Sequence, residues 1–113
     1  MARAEVDAGA CGYSAVITVR QISKDSVQVQ IESACEMLTA MNEELAALKW
    51  RGKDHQVFRR IPESAIYRCA SCHIRHTGCP VPGAIIKAIE VEVGAAVPRD
   101  VTIRISKDGE NRI

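Results

Sequence analysis

Two stretches of this chain alternate apolar and polar residues with the period of a β-strand, and they restrict its fold more than any other feature. In the first, residues 13–19, one face carries an apolar or aromatic residue at every second position from Tyr13 to Val19. In the second, residues 27–31, valine and isoleucine alternate with glutamine, and the polar segment 23–26 joins the two stretches. Because alternation gives a strand one apolar and one polar face, the sequence predicts an antiparallel hairpin with one solvated side.

Helical periodicity follows the hairpin. Ser33 and Glu36 have the Ser-x-x-Glu spacing of a capping box, which indicates a helix start. Gly52 is a typical helix stop. Between these positions the sequence predicts one amphipathic helix, whose apolar stripe is Ala34, Leu38, Met41, Leu45 and Leu48.

Further helices are predicted in the second half of the chain. Short ones are expected at 54–61, ending before Pro62, and at 63–73. A last helix has Pro82 in its first turn and ends at Gly94. Its predicted inner face is Val81, Ile85, Ala88, Ile89 and Val93.

Residues 101–105 alternate once more and predict a third strand, within a C-terminal stretch of 98–106. The remaining residues, 107–113, are expected to form a flexible tail. The predicted fold class is therefore α+β: a three-stranded, mainly antiparallel sheet, made of the hairpin and the C-terminal strand, with helices packed on one face. The length of 113 residues suits a single domain, whose cysteine-bearing core spans 9–94.

Charge and hydropathy exclude several functional classes. The net charge of +1 leaves no electrostatic footprint for nucleic acid or an anionic membrane surface. No apolar run approaches the ~20 residues of a membrane span, and the first residues lack the pattern of a signal peptide. We therefore expect a cytoplasmic protein with a protein partner that the sequence does not identify, and a homodimer stays open.

The five cysteines are the main chemical feature of the chain. Their number is odd, so complete internal pairing as disulfides is excluded, and in a reducing compartment such a set indicates metal binding or thiol chemistry. Cys11 precedes a predicted strand, while Cys35 and Cys79 stand at predicted helix starts, where free amide groups favour a thiolate. Together with Cys72, they predict a metal or iron–sulfur site assembled from distant parts of a small domain.

The segment 69–79 contains three cysteines and two histidines, although its spacing matches no standard zinc finger. Cys69 can equally be a small apolar residue on a helix face, and His73 and His76 can be surface residues. The five residues from Cys69 to His73 also spell the C-x-x-C-H motif of covalent haem attachment, which normally requires export.

The order of these motifs resembles a known module. A Gly9-x-Cys11 segment opens a strand, a second strand ends near Cys35 at a helix start, and Thr77-Gly78-Cys79-Pro80 opens a last helix. This pattern resembles the TSCPD domain, which occurs alone and at the end of some ribonucleotide reductases. It is similar, more loosely, to the NifU/IscU-type iron–sulfur assembly scaffolds. The late segment also looks like that of a small cysteine-containing family of anaerobic bacteria and archaea that is uncharacterised.

The scaffold resemblance implies that Cys11, Cys35 and Cys79 are ligands, and the TSCPD pattern implies Cys72 as the fourth. Four thiolates suit either Zn²⁺ or an iron–sulfur cluster, and the resemblance favours iron. The implied function is cluster carriage, electron transfer or sensing. Two alternatives stay open: a metal-free protein-interaction module with packed structural cysteines, and an enzyme with an activated thiol such as Cys79 near a histidine.

Overall fold

The computed structural model describes residues 1–53, 55 and 57–108. This part of the chain forms an antiparallel sheet and a set of helices in an α+β arrangement. In chain order the elements are β1 (Ala2–Asp7), β2 (Ser14–Gln21), β3 (Ser26–Ser33), α1 (Glu36–Thr39), β4 (Leu48–Lys49), α2 (Ala65–His73) and α3 (Val81–Glu92).

The predicted hairpin is confirmed by β2 and β3, which pair antiparallel at the centre of the sheet. Ile17 lies opposite Ile31, and Val19 lies opposite Val29, so that β-branched side chains stack across the strands. All four side chains are buried, whereas the glutamines between them in β3 face solvent. The period-two pattern therefore identified both the strands and the face that packs on the core.

Within the described part of the chain the sheet has four strands in the order β1-β2-β3-β4, so the predicted three-stranded sheet was wrong. The unpredicted β1 pairs along its whole length with β2. Its inward positions are Ala2, Ala4 and Val6, while Arg3, Glu5 and Asp7 point outward. Alanine gives a weak strand signal because it has low β-propensity, although the alternation itself is present.

The long helix predicted after the hairpin is reduced to the four residues of α1, and the capping box is not formed. Ser33 is the last residue of β3, and its hydroxyl donates a hydrogen bond to the Ser14 carbonyl at 2.7 Å. The same oxygen accepts the Cys35 N–H at 3.1 Å, and Cys35 itself is the N-cap. The serine thus closes the end of the hairpin, which places the helix start two residues later.

The apolar stripe after α1 is buried as expected, but the chain reaches the core along the edge of β3 instead of as a helix. The Val29 N–H donates to the Leu45 carbonyl at 2.9 Å, and Leu48 pairs with Val27 in β4. Further along β3 the Asn42 side chain accepts the Ile31 N–H at 2.7 Å and donates to the Ile31 carbonyl at 2.9 Å. These contacts satisfy the free edge of β3, which a helix could not have done.

The helices α2 and α3 confirm two of the three helices predicted in the second half of the chain. The Ser64 hydroxyl caps α2 by accepting the Tyr67 N–H at 3.4 Å. The α3 helix packs on β1 and β2 through residues that include Ile85 and Ile89, both fully buried. Burial of each such side chain contributes about 1.5–3 kcal/mol. Gly94 ends this segment with a positive φ of 79°.

Two other predictions differ from the structure. The described residues of 54–61 contain bends but no α-helix, and residues 54 and 56 lie outside the described residues. The segment 101–105 forms no strand of the sheet, and Val101 and Ile103 are 59% and 68% exposed. The edge strands of the sheet among the described residues are β1 and β4, and this segment pairs with neither of them. The predicted tail lies outside the described residues from residue 109 onward.

Candidate functional site

Cys11 and Cys35 lie at the same end of the central hairpin. In the β2–β3 register Ala15 is opposite Ser33, so the residues just before β2 and just after β3 meet at one edge. Cys11 ends a 3₁₀ helix (Gly9–Cys11) before β2, and Cys35 follows β3 by two residues. Cys35 is buried at 7% exposure, whereas Cys11 is exposed.

The turn that carries Cys11 has a defined conformation. The Asp7 carboxylate accepts the Gly9 N–H at 3.0 Å, and the Ala8 N–H donates to the Tyr13 carbonyl at 3.0 Å. Gly12 has a φ of 80°, a left-handed conformation in which side chains with a Cβ are strained. This glycine allows the chain to leave the 3₁₀ helix and enter β2, so the sequence signal Cys11-Gly12 has a structural cause.

Cys79 joins these two cysteines from a third part of the chain. It is half-buried beside the core and lies two residues before α3. Burial raises the pKa of the Cys79 thiol, while the Val81 N–H, which donates to the sulfur, acts in the opposite direction. The Cys35 and Cys11 thiols raise this pKa further. Because such repulsion acts over several ångströms, the three cysteines lie in one region of the molecule, but their sulfur atoms do not all lie within 4.8 Å of one another.

A second group of metal-binding residue types lies between α2 and the turn after α1. Glu44 and His73 are joined by a 2.7 Å contact between Oε1 and Nε2. The Cys69 sulfur, a carboxylate oxygen of Glu44 and a ring nitrogen of His73 all lie within 4.8 Å of one another. Cys69 is buried, and its thiol is 3.9 Å from the Met41 carbonyl. The helix and the turn are thereby held together by polar contacts.

The electrostatics of this group keep Cys69 protonated. Burial raises the pKa of the Cys69 thiol to about 12, and the adjacent Glu44 carboxylate and Cys72 thiol contribute to the increase. The hydrogen bond to His73 lowers the pKa of Glu44, and Cys69 lowers it further. A thiol with so high a pKa is a poor nucleophile at neutral pH, which disfavours Cys69 as a catalytic residue.

The structure thus distributes the predicted site residues over two groups. Cys11 and Cys35 lie at one end of the hairpin and both raise the pKa of Cys79, whereas the exposed Cys72 raises the pKa of Cys69. The sequence singled out the other members of the second group but missed Glu44. Nothing in the local sequence distinguishes Glu44 from the exposed Glu43 beside it. Only the packing of the turn against α2 brings its carboxylate to His73.

This antiparallel α+β chain belongs to a family of unknown function, DUF6951, whose model matches residues 2–105. The matched region includes all the cysteines and the Glu44–His73 pair. Comparison with curated proteins and with solved structures gave no match. Among the described residues, no helix combines the length and apolar character needed to cross a membrane.

Proposed function

We propose that this chain is a metal- or iron–sulfur-cluster-binding protein that uses cysteine thiolates as ligands. Its anchor is the group of Cys11, Cys35 and Cys79, and its activity is cluster carriage, electron transfer or sensing. The observation that supports this function is the placement of three thiols from separate parts of the chain: Cys11 and Cys35 lie at the same end of the hairpin, and both raise the pKa of Cys79. Because the three sulfur atoms do not all lie within 4.8 Å of one another, a bound ion or cluster would have to draw them together.

The local physical chemistry supports a bound cation. Burial raises the pKa of the Cys79 thiol, so the thiolate form of this residue is disfavoured unless a positive charge lies beside it. A metal ion reverses this balance because it stabilises the deprotonated sulfur. The exposed Cys11 offers a route of entry from solvent, while the buried Cys35 limits the motion of the site.

The fourth ligand distinguishes two versions of the site. The sequence predicts Cys72 as the fourth ligand, but in this structure the Cys72 thiol lies near Cys69 and contributes to the raised pKa of that residue. If Cys72 completes the coordination, the end of α2 must approach the other three cysteines. If an external ligand completes it, the site has one exchangeable position, which suits transfer of a cluster to a partner. Both versions use the same three anchoring thiolates.

The first prediction concerns metal content after anaerobic purification of the full chain. We expect either a brown protein with iron and acid-labile sulfide or a colourless protein with stoichiometric zinc. The variants Cys11→Ser and Cys79→Ser should lose this iron–sulfur or thiolate-bound metal because each removes an anchoring ligand. Iron, zinc and sulfide analyses, combined with absorption spectra, provide the measurement.

Matched cysteine variants separate the two versions of the site. Cys72→Ser should reduce the iron and sulfide content as strongly as Cys79→Ser if Cys72 is the fourth ligand of this site, and should leave that content unchanged if the fourth ligand is external. Cys69→Ser serves as the control for iron and sulfide because Cys69 lies in the other group. Iron and sulfide reconstitution that is equal in the wild type, Cys11→Ser and Cys79→Ser would contradict the proposed function.

The exposed apolar residues of the C-terminal segment favour a second candidate function, a metal-free protein-interaction module. Val97 and Ile103 are 77% and 68% exposed, and neither belongs to the core. Such residues contribute more to the contact with a partner than to the fold. This candidate is favoured if Cys11→Ser and Cys79→Ser leave both stability and self-association unchanged while Ile103→Ser weakens self-association in sedimentation experiments.

A further inference from the structure

We propose that Glu44, Cys69, Cys72 and His73 form a second metal site, separate from the cysteine group at the hairpin end, which binds a divalent transition-metal ion of the Zn²⁺ class. The site would connect α2 to the turn that follows α1. It differs from the first in donor chemistry because it combines sulfur, nitrogen and oxygen ligands.

The helical positions of the ligands support this site. Cys72 and His73 follow Cys69 by three and four residues in α2, so the three side chains share one face of the helix. Cys69 occupies the middle of that face, with Cys72 and His73 on either side. The Cys72 thiol also contributes to the raised pKa of Cys69, as expected for two thiols that lie near each other.

Glu44 completes the set from the opposite side. Its carboxylate already contacts His73 at 2.7 Å. A carboxylate oxygen of Glu44 also lies within 4.8 Å of the Cys69 sulfur. Tetrahedral zinc, with ligand bonds near 2.0–2.3 Å, separates neighbouring donor atoms by roughly 3.3–3.8 Å. Binding would therefore replace the Glu44–His73 contact by two metal bonds and draw the sulfur inward, without a change in the fold.

The surroundings allow an ion to reach the site. A cavity of about 290 Å³ is lined by Glu44, Cys69 and Cys72, together with apolar residues of the same region and Arg68. His73 is 25% exposed and Glu44 is 50% exposed, so two ligands are accessible while Cys69 anchors the site from the core. Two thiolates and a carboxylate carry one negative charge more than a divalent ion neutralises, and the positively charged Arg68 lines the same cavity.

The donor set favours zinc over an iron–sulfur cluster. Structural zinc sites accept cysteine, histidine and carboxylate ligands in tetrahedral geometry, whereas clusters are held mainly by thiolates. Each Zn²⁺ would displace the two thiol protons of Cys69 and Cys72 into the buffer, so charge and atoms balance without a redox step. The ion would stabilise the folded state by mass action, because the unfolded chain lacks this arrangement.

The test uses the full chain, prepared free of metal under reducing conditions and titrated with Zn²⁺ or Co²⁺. The exposed ligands are replaced by Glu44→Gln and His73→Gln, with Glu43→Gln and His76→Gln as matched controls. A change of an outer partner of a metal site costs roughly 10–100-fold in affinity, so loss of a direct ligand should cost at least about 100-fold. The control variants should retain wild-type affinity and the thermal shift that zinc produces.

A Cys11→Ser/Cys79→Ser background isolates this site from the first. Cobalt–thiolate absorption should persist in that background and disappear when Cys69→Ser and Cys72→Ser are both added. If the background variant does not fold, the comparison of Glu44→Gln with Glu43→Gln in the otherwise native chain decides the question. Equal Zn²⁺ affinity in those two variants would overturn the second site. So would zinc that leaves the melting temperature unchanged in the native chain, because the Glu44–His73 contact would then be a hydrogen-bonded pair alone.

Discussion

Glu92 shows how one side chain ties the last helix to the sheet. Its carboxylate accepts the Gln21 N–H at 2.8 Å, and its other oxygen lies 3.2 Å from the Met1 amino group. Burial acts against ionisation, but the Gln21 N–H and the Met1 ammonium outweigh it and lower the pKa of Glu92. The ionised form is therefore the one that the folded state stabilises.

At the residue scale, we predict that Glu92→Gln removes part of the acid sensitivity of the protein. Because the folded pKa lies below the ordinary value of 4.5, the stabilisation is fully present above that value and disappears as pH falls through the lower folded pKa. The variant should lose about 1 kcal/mol at neutral pH and show a flatter decline in acid. Urea unfolding measured between neutral and acidic pH tests this, with Glu90→Gln on the same helix as the control. If the free energy of unfolding of Glu92→Gln fell with decreasing pH as steeply as that of the wild type, Glu92 would not be a source of the acid sensitivity.

The connection between β3 and β4 determines the shape of the sheet at the scale of elements. The chain leaves α1 after one turn and runs beside β3, where Leu45, Asn42 and Leu48 supply successive partners for the strand. The Asn42 amide offers a donor and an acceptor in the geometry of a paired backbone residue. A side chain thus substitutes for part of the fourth strand, and the same turn carries Glu44 to α2.

For this element, we predict that Asn42→Ala destabilises the fold by about 2 kcal/mol, because it leaves the partly buried N–H and carbonyl of Ile31 without partners. Thr39→Ala is the matched control, since it removes an exposed hydrogen bond, which the Thr39 hydroxyl donates to the Glu36 carbonyl at 3.3 Å. We expect this control to change stability by less than about 0.5 kcal/mol. Chemical denaturation of both variants provides the comparison, and equal losses would show that Asn42 is not a strand substitute.

The whole molecule has its core between one face of the sheet and the helices. The largest buried side chains come from β2, β3, α2, α3 and the turn after α1. The C-terminal segment, although it has the alternation of a strand, contributes none of the core residues among those described. Its apolar side chains are therefore not accounted for by the fold.

At the scale of the molecule, we predict that replacing an isoleucine by alanine strongly destabilises the protein in the core and hardly changes its stability in the C-terminal segment. Ile89→Ala, at a fully buried position, should cost about 2–5 kcal/mol through lost contacts and a cavity. Ile103→Ala, at a position that is 68% exposed, should change stability by no more than about 0.5 kcal/mol. Thermal unfolding at low protein concentration distinguishes the two. A large loss in Ile103→Ala would indicate that the C-terminal segment packs on the globule.

The sequence by itself determined the elements whose signals are local. The hairpin follows from period-two alternation, and α2 and α3 follow from helical periodicity, Pro82 and Gly94. It also indicated which apolar residues are buried, including Met41, because hydrophobic pattern reports burial more directly than conformation.

Only the tertiary structure decided how the remaining segments are used. The stripe after α1 became an edge partner of β3 because that edge needed hydrogen-bond partners, and the alanine-rich β1 became a strand because β2 offered it a complete register. The meeting of Glu44 with Cys69 and His73 has the same origin. Contacts between residues far apart in the chain depend on the packing of whole elements, and local spacing carries no record of that packing.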